Sequence, residues 1–535
     1  MHMKNILLLF CWIIAIQAGL LAQPEKSDPW FGESCTSIMV GKKASVDGSV
    51  ITSHTCDGNY RTWLRIEPAQ DHEDTATHKV YKGNLHTETP WDTRKLKLAG
   101  TIPQAQHTFA YLNTAYPSMN EKQLAIGETT FVGPDTLVNK NGMFQIEELQ
   151  RIALQRCDNA RDAIQLIGKL IGEYGYGDWG ECITIADKHE VWQMEIVGEG
   201  PEKIGGVWAA QRIPDDHVGV SANIARISII DRSKPDYFMA SDNVESVALE
   251  FGLWDGNEPF KFWKAYANQE KPYKIREFFI LNALAPSLGL TMDMEELPFS
   301  VKPDQKVSLQ KVTELYRETY EGTEYDMTQN VRYIKTLFDE NRKPIGSDTL
   351  VSPVANPWLT TDMRNTLNFI APGTVEFQRT VAVSWCSYSH IMQLRDWLPD
   401  EIGGISWFSF DNPAESPRIP IFTGSTRLPH DFEYCGQKRY NEDAALWKYR
   451  KANKLATLSW GRTHKTILQN LELFEKKAIE EMPELEKQIK EMLSSDKQAE
   501  AQTKLNDYTH AFYGATVLRW KELEHQFWEI FGRGF

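Results

Sequence analysis

Four β-rich runs in close succession are the strongest constraint on how this chain folds. ECITIAD (181–187), EVWQMEIVG (190–198), GGVWAAQR (205–212) and HVGVSAN (217–223) follow one another across short polar or glycine-containing connections. Links of that length close hairpins and are too short for crossover helices, so the runs pair antiparallel. FAYLNTAY (109–116), QLAIGETT (123–130), RTVAVSWCSY (379–388) and GISWFSF (404–410) add further strand-like runs. Near the start, CTSIMV (35–40) and SVITSH (49–54) flank the turn-prone stretch Gly41 to Gly48 and read as a hairpin that begins at Cys35. Ile146, Leu149, Ile152 and Ala153 fall at helical spacing, as do Ala163, Ile164, Ile167, Leu170 and Ile171, with Asp158-Asn159 as break and cap. From about Asn441 onward three apolar stripes predict three helices: Ile467, Leu471 and Phe474, then Leu485, Ile489 and Met492, then Leu505, Tyr508 and Phe512. The pattern is α+β, with a substantial antiparallel sheet and a helical tail packed on it.

The bulk composition narrows the function classes. With 535 residues, 41% of them hydrophobic, the chain has ample material for a large core; length alone allows three or four domains or one elaborated domain. A net charge of −15 without a long Lys/Arg run argues against nucleic-acid or acidic-membrane partners, because nothing supplies the phosphate-neutralising term. Residues 1–22 carry Lys4, an apolar run from Ile6 to Ile16, and small residues up to Ala22, the pattern of a cleaved export signal. The run is too short to span a bilayer, so a secreted or periplasmic protein without a stable membrane anchor is expected. QPEKSDPWFGES (23–34) shows no periodicity and reads as an exposed connector. Six cysteines follow the signal, with no C-x-x-C pair and no zinc-type spacing; export permits a disulfide or two.

Cys35 stands apart from the other five. Were the preceding peptide removed, its thiol and its own α-amine would belong to one residue. An α-amine titrates near ~8, against ~10.4 for lysine, so near neutral pH it is substantially unprotonated. It then accepts the thiol proton and later returns a proton to the leaving amine. No G-x-S-x-G elbow or H-E-x-x-H helix competes, and no metal or organic cofactor is implied. On spacing and composition alone a disulfide cysteine is the favoured reading.

The run Cys35-Thr36-Ser37-Ile38-Met39-Val40-Gly41-Lys42-Lys43-Ala44-Ser45-Val46-Asp47-Gly48-Ser49 resembles the mature start of the bacterial cysteine dipeptidase family of Ntn-hydrolases. ECITIAD, then Val191 to Ile196 and Ala209 to Asp216, resemble that family's central strands in order; Ile391 to Arg395, Leu398-Pro399 and Ser416 to Pro420 resemble its later blocks. The resemblance covers roughly 35–435. It implies an αββα sandwich of two antiparallel sheets between helical layers, with 1–22 as signal, 23–34 as propeptide, 35–435 as catalytic domain and 436–535 as a helical region packed on it. It also implies release of Cys35 by autocatalytic cleavage of the Ser34–Cys35 bond.

The remaining site residues come from the same resemblance. Asp57 falls where the family has an Asp that holds the cysteine amine; its alternative is an Asx turn before Gly58. His54 stands where an Arg is usual and is assigned to a substrate carboxylate or to filling the strand. Asn223 matches an asparagine expected to donate to the oxyanion, and Arg226 is placed near the site as a substrate-binding residue. Trp192 and Met194 are read as core and the alternating Glu195 as solvent-facing.

The resulting expectation is a self-processing N-terminal-cysteine peptidase that hydrolyses dipeptides or very short peptides through a thioester, with self-association left open. Two alternatives remain. One is a cysteine Ntn amidase acting on bile-acid, penicillin or N-acyl amides, and the other an inactive secreted binding protein on the same fold.

Overall fold

The computed structural model describes residues 34–86 and 95–532. The signal and connector expected over 1–33 lie outside the described residues; Ser34 lies within them. The first hairpin forms as its sequence predicts, with β1 (Ser34–Val40) antiparallel to β2 (Val50–Asp57). QLAIGETT supplies β3 (Ala125–Phe131). Two helices follow, α1 (Ile146–Arg156) and α2 (Ala160–Tyr174), and the Asn159 side chain caps the second by accepting the Asp162 N–H. The four successive runs become β4 (Gly180–Ala186), β5 (Val191–Gly198), β6 (Gly206–Ile213) and β7 (Val218–Ser221). Next come α3 (Ile275–Leu284), α4 (Leu309–Leu315), β8 (Cys386–Leu394), β9 (Ile405–Phe410) and β10 (Ile419–Phe422). Three helices end the described chain: α5 (Ala445–Leu458), α6 (Trp460–Leu493) and α7 (Gln498–Phe531).

These strands build two large antiparallel sheets. Seven strands run in the order 300–301, β7, β1, β2, β8, β9, β10; eight run 238–240, β6, β5, β4, β3, 119–120, 111–113, 65–67. β1 and β2 face β3, and β2 also faces β4, so the sheets stack with Cys35 at their interface. On the outer face of the second sheet α2 packs across β4, β5 and β6. On the outer face of the first, α3 lies on β7, α4 on β8, α5 on β9 and α7 on β10. Helix, sheet, sheet, helix is the resulting order of layers. Trp192 and Met194 of β5 are fully buried, as expected of core residues.

Four expectations need correction. The last of the four successive runs does not pair with the one before it: β7 leaves β6 and joins the first sheet between β1 and 300–301. The strand expected over 379–388 begins at Cys386, and 379–385 is irregular. β2 ends at Asp57, which pairs with Cys386 across a bulge, so residues before Cys386 have no ladder left to join. In the tail, the stripes at Ile467 and Leu485 belong to one helix: Phe474, Ala478, Met482, Leu485 and Ile489 form a continuous buried face through Pro483. The third C-terminal helix is instead α5, held by its buried Leu446, Tyr449, Ala452 and Ala456. Glu195 is fully buried, not solvent-facing. Its carboxyl accepts the backbone N–H of Arg226 at 2.5 Å and of Ile227 at 3.1 Å, which ties down the loop after β7. All six described cysteines are free.

Candidate active site

Cys35 is the second residue of β1 and lies directly opposite Cys56 of β2. Its N–H donates to Asn223 Oδ1 at 2.7 Å and its carbonyl accepts from Arg276 Nη1 at 2.5 Å. Asn223 closes β7 with φ of 62°, a left-handed conformation that asparagine tolerates better than most residues. That turn aims its amide inward, where Nδ2 donates to the Thr130 carbonyl at 2.8 Å. Arg276 sits in the first turn of α3, where Glu277 caps the helix by accepting the Lys274 N–H at 3.0 Å. Its guanidinium also reaches Thr36 Oγ1, the Ala222 carbonyl and Asn223 Oδ1 at 2.8–3.0 Å. One buried cation thus binds the nucleophile's strand to the loop that carries Asn223. Burial pulls that guanidinium down to about 10, which leaves it protonated at neutral pH.

The thiol points toward Glu128 of β3, with Sγ 3.6 Å from Oε2. The same oxygen lies 3.7 Å from His54 Nε2, and both side chains are fully buried. Burial pushes the Cys35 thiol well up, and Cys56 and the Glu128 and Asp57 charges push the same way. It is therefore a neutral thiol that needs a base. Burial and the neighbouring His390 hold His54 well below the usual histidine range, so the His54–Glu128 contact joins a neutral ring to a carboxyl and is not a salt bridge. Glu128 is itself pushed up to about 7, first by burial and further by Glu147. Cys35, His54 and Glu128 offer atoms within 4.8 Å of one another, ligand types that suit zinc. A metal held there would occupy the Cys35 Sγ that nucleophilic attack needs.

Asp57, also fully buried, accepts from Arg379 Nη2 at 2.7 Å and from Thr55 Oγ1 at 3.0 Å. Arg379 donates to Ser34 Oγ at 2.6 Å as well, so the pair fixes the residue just before the Ser34–Cys35 bond. The structure thus brings Cys35, His54, Asp57 and Asn223 together. Arg226 it does not: this buried side chain donates to the carbonyls of Pro272 at 3.1 Å and Pro298 at 2.5 Å. Sequence reasoning missed Glu128, Arg276 and Arg379. The one available signal for Arg276 was a charged residue at the head of the largely apolar stretch Ile275 to Leu284, beside Glu277.

A nucleophile at a strand start, with a buried cation and amide on its backbone and carboxylates around its thiol, is a site for acyl transfer. The profile of Peptidase family C69 matches residues 34–472, so its start falls one residue before the thiol. Similar proteins include a probable dipeptidase of Latilactobacillus sakei, 26% identical over 427 residues (76% of this chain, 77% of the relative). A probable dipeptidase of Salmonella dublin is 25% identical over 401 residues (73% and 81%). Dipeptidase A of Lactobacillus helveticus is 22% identical over 495 residues (88% and 93%). The chain belongs to peptidase family C69, the family of the bacterial cysteine dipeptidases that the first strands resembled, and it is a peptidase.

Proposed function

We propose that this protein is a self-processing dipeptidase of the Ntn-hydrolase type, with Cys35 as its N-terminal nucleophile. The observation that carries the reading is the pinning of both sides of the Ser34–Cys35 bond. Ser34 is held by Arg379 and Asp57, and Cys35 by Asn223 and Arg276. In processing, Sγ attacks the Ser34 carbonyl carbon, the Ser34–Cys35 peptide bond breaks, and a thioester forms as the new α-amine takes up a proton. Water then splits the thioester, leaving a Ser34 carboxylate and a free thiol.

In turnover the amine of Cys35 accepts the thiol proton, and Sγ attacks the scissile carbonyl of a dipeptide. The proton passes to the departing amine, and water resolves the second thioester. The oxyanion role assigned to Asn223 uses the second N–H of its amide, since only one is needed for Thr130. Asp57 and Arg276 act on the position of Cys35. The family of relatives named dipeptidases supports the substrate class.

A panel of free dipeptides set against bile-acid conjugates, penicillins and N-acyl amides tests the reading. Turnover of dipeptides that is lost in Cys35→Ala supports it; turnover of the amides alone assigns the site to the amidase alternative, and no turnover at all to the inactive one.

The start of the sequence supports export to a secreted or periplasmic location. Self-association is supported by the exposed Ile334, Phe338 and Ile345 on one surface hairpin, and light scattering reads it directly.

A further inference from the structure

One carboxyl faces the nucleophile and a second stands behind it, with no cation to answer them. Glu128 and Glu181 lie on β3 and β4, are buried, and share the Thr130 hydroxyl at 3.0 and 3.1 Å. Among the described residues no lysine or arginine pairs with either of them, and Glu181 Oε2 has no hydrogen-bond partner at all. His54, the one basic side chain at hand, is fully buried with neither ring nitrogen hydrogen-bonded, and it turns toward Glu128. Burial and the neighbouring Glu128 push the Glu181 carboxyl well up, so Glu181 keeps its proton and the charge of the pair falls on Glu128, where it is costly unless a positive group arrives. Around His54 stand the rings of Tyr116 and Tyr388, at 5.6 and 6.2 Å between centroids.

Distance then selects the cation. For attack, the scissile carbon lies about 3–3.5 Å from Sγ. In a peptide's N-terminal residue the α-nitrogen is ~2.5 Å from its own carbonyl carbon, from ordinary bond lengths and angles. Glu128 Oε2, 3.6 Å from Sγ, is within charge-assisted hydrogen-bond reach of a nitrogen so placed. We propose that Glu128, backed by Glu181 through Thr130, receives the free α-ammonium of the residue whose carbonyl Cys35 attacks. The subsite rests on the dipeptidase reading and deepens it. It restricts cleavage to the first peptide bond of a chain with an unblocked N-terminus, and an N-acyl group leaves the carboxyls unanswered.

The test compares Ala-Ala with its desamino counterpart, N-propionyl-alanine, on the processed wild-type enzyme and on Glu128→Gln and Glu181→Gln. The reading is the ratio of kcat/KM for the two substrates. Wild type is expected to prefer the free amine by at least about 100-fold. That ratio should collapse by about 30-fold or more in Glu128→Gln, and by less in Glu181→Gln. An equal loss on both substrates, with the ratio intact, overturns the subsite while leaving the dipeptidase reading standing. Cleavage of N-acyl amides with none of free dipeptides sinks the dipeptidase reading itself. Should Glu128→Gln fail to fold, the wild-type ratio decides: a value near one refutes ammonium recognition, and the Glu181→Gln ratio then tests the carboxyl's part in it.

Discussion

Two antiparallel strand pairs in this molecule have opposite fates. β1 and β2 are buried along nearly their whole length although they contain Thr36, Ser37, Thr52, Ser53, His54, Thr55 and Asp57. The hairpin Arg332–Phe338 and Pro344–Val351 is exposed at every residue although it carries Ile334, Leu337, Phe338 and Ile345. Polarity alone would have placed them the other way round. The buried pair survives because most of its polar groups away from the thiol are answered: Thr52 meets Thr184 at 2.7 Å, Thr55 accepts the Thr36 N–H at 2.9 Å, and Ser53 donates to the Ile38 carbonyl at 2.7 Å; His54, beside Glu128, is the main exception. A strand pair so satisfied holds a reactive group in a fixed place, which is what a nucleophile requires. The hairpin has apolar surface and no such task within its own chain.

Substitutions test this contrast, and the largest effect belongs to the nucleophile. Cys35→Ala should lower dipeptide turnover by about 10⁶-fold, as expected when a nucleophile is removed, with little change in thermal unfolding. Residual turnover within about tenfold of wild type would place the chemistry elsewhere. Arg276→Ala comes next, because it takes the buried cation away from the carbonyls of Cys35 and Ala222 and from Asn223 Oδ1. A loss of about 3 kcal/mol in denaturant unfolding and about 100-fold in kcat/KM is expected. A purely structural Arg276 would show the first loss without the second once the variant is folded. Within the apolar residues, Ile38→Ala on β1 should cost about 2–5 kcal/mol and Ile334→Ala on the hairpin within about 0.5 kcal/mol of nothing. Equal costs would erase the comparison, and a large hairpin cost that depends on protein concentration would mean that a second copy covers it.

The smallest expected effect is in the pH profile. Cys35, His54, Thr130 and Glu181 surround Glu128, whose carboxyl burial raises to about 7. Only its ionised form attracts an ammonium, so the preference for a free amine should climb roughly tenfold as pH rises through about 7. It should fall again as the substrate amine loses its proton near ~8. A ratio that stays flat from pH 5.5 to about 9 would detach Glu128 from recognition.

Much of this arrangement was legible in the sequence. Alternation and short links gave the pairings of β1 with β2 and of β4, β5 and β6 in sequence, because those strands pair with near neighbours along the chain; β7 reads equally well as a strand but pairs with β1 from the far side of the chain. Cys35 stood out because a strand beginning at a thiol has a chemical use. What stayed hidden was assembled by distance. Glu128 meets Cys35 from 93 positions away, Arg276 from 241, and Arg379 reaches Asp57 across 322. No local spacing reports such meetings. Glu195 was misread for a related reason: alternation on β5 says which way a side chain points, and only the second sheet layer decides that both faces are covered. The split of α6 failed because the stripes at Ile467 and Leu485 were read apart, whereas Ala478 and Met482 carry one buried face across from the first to the second.

The central claim is that Cys35 becomes the N-terminal residue by its own chemistry. Its most direct test is the intact mass and N-terminal residue of purified protein expressed from Gln23 onward, beside the Cys35→Ala variant. The account predicts a wild-type chain that begins at Cys35 and a variant that still carries residues 23–34. A wild-type chain that hydrolyses dipeptides while Ser34 remains joined to Cys35 would contradict it.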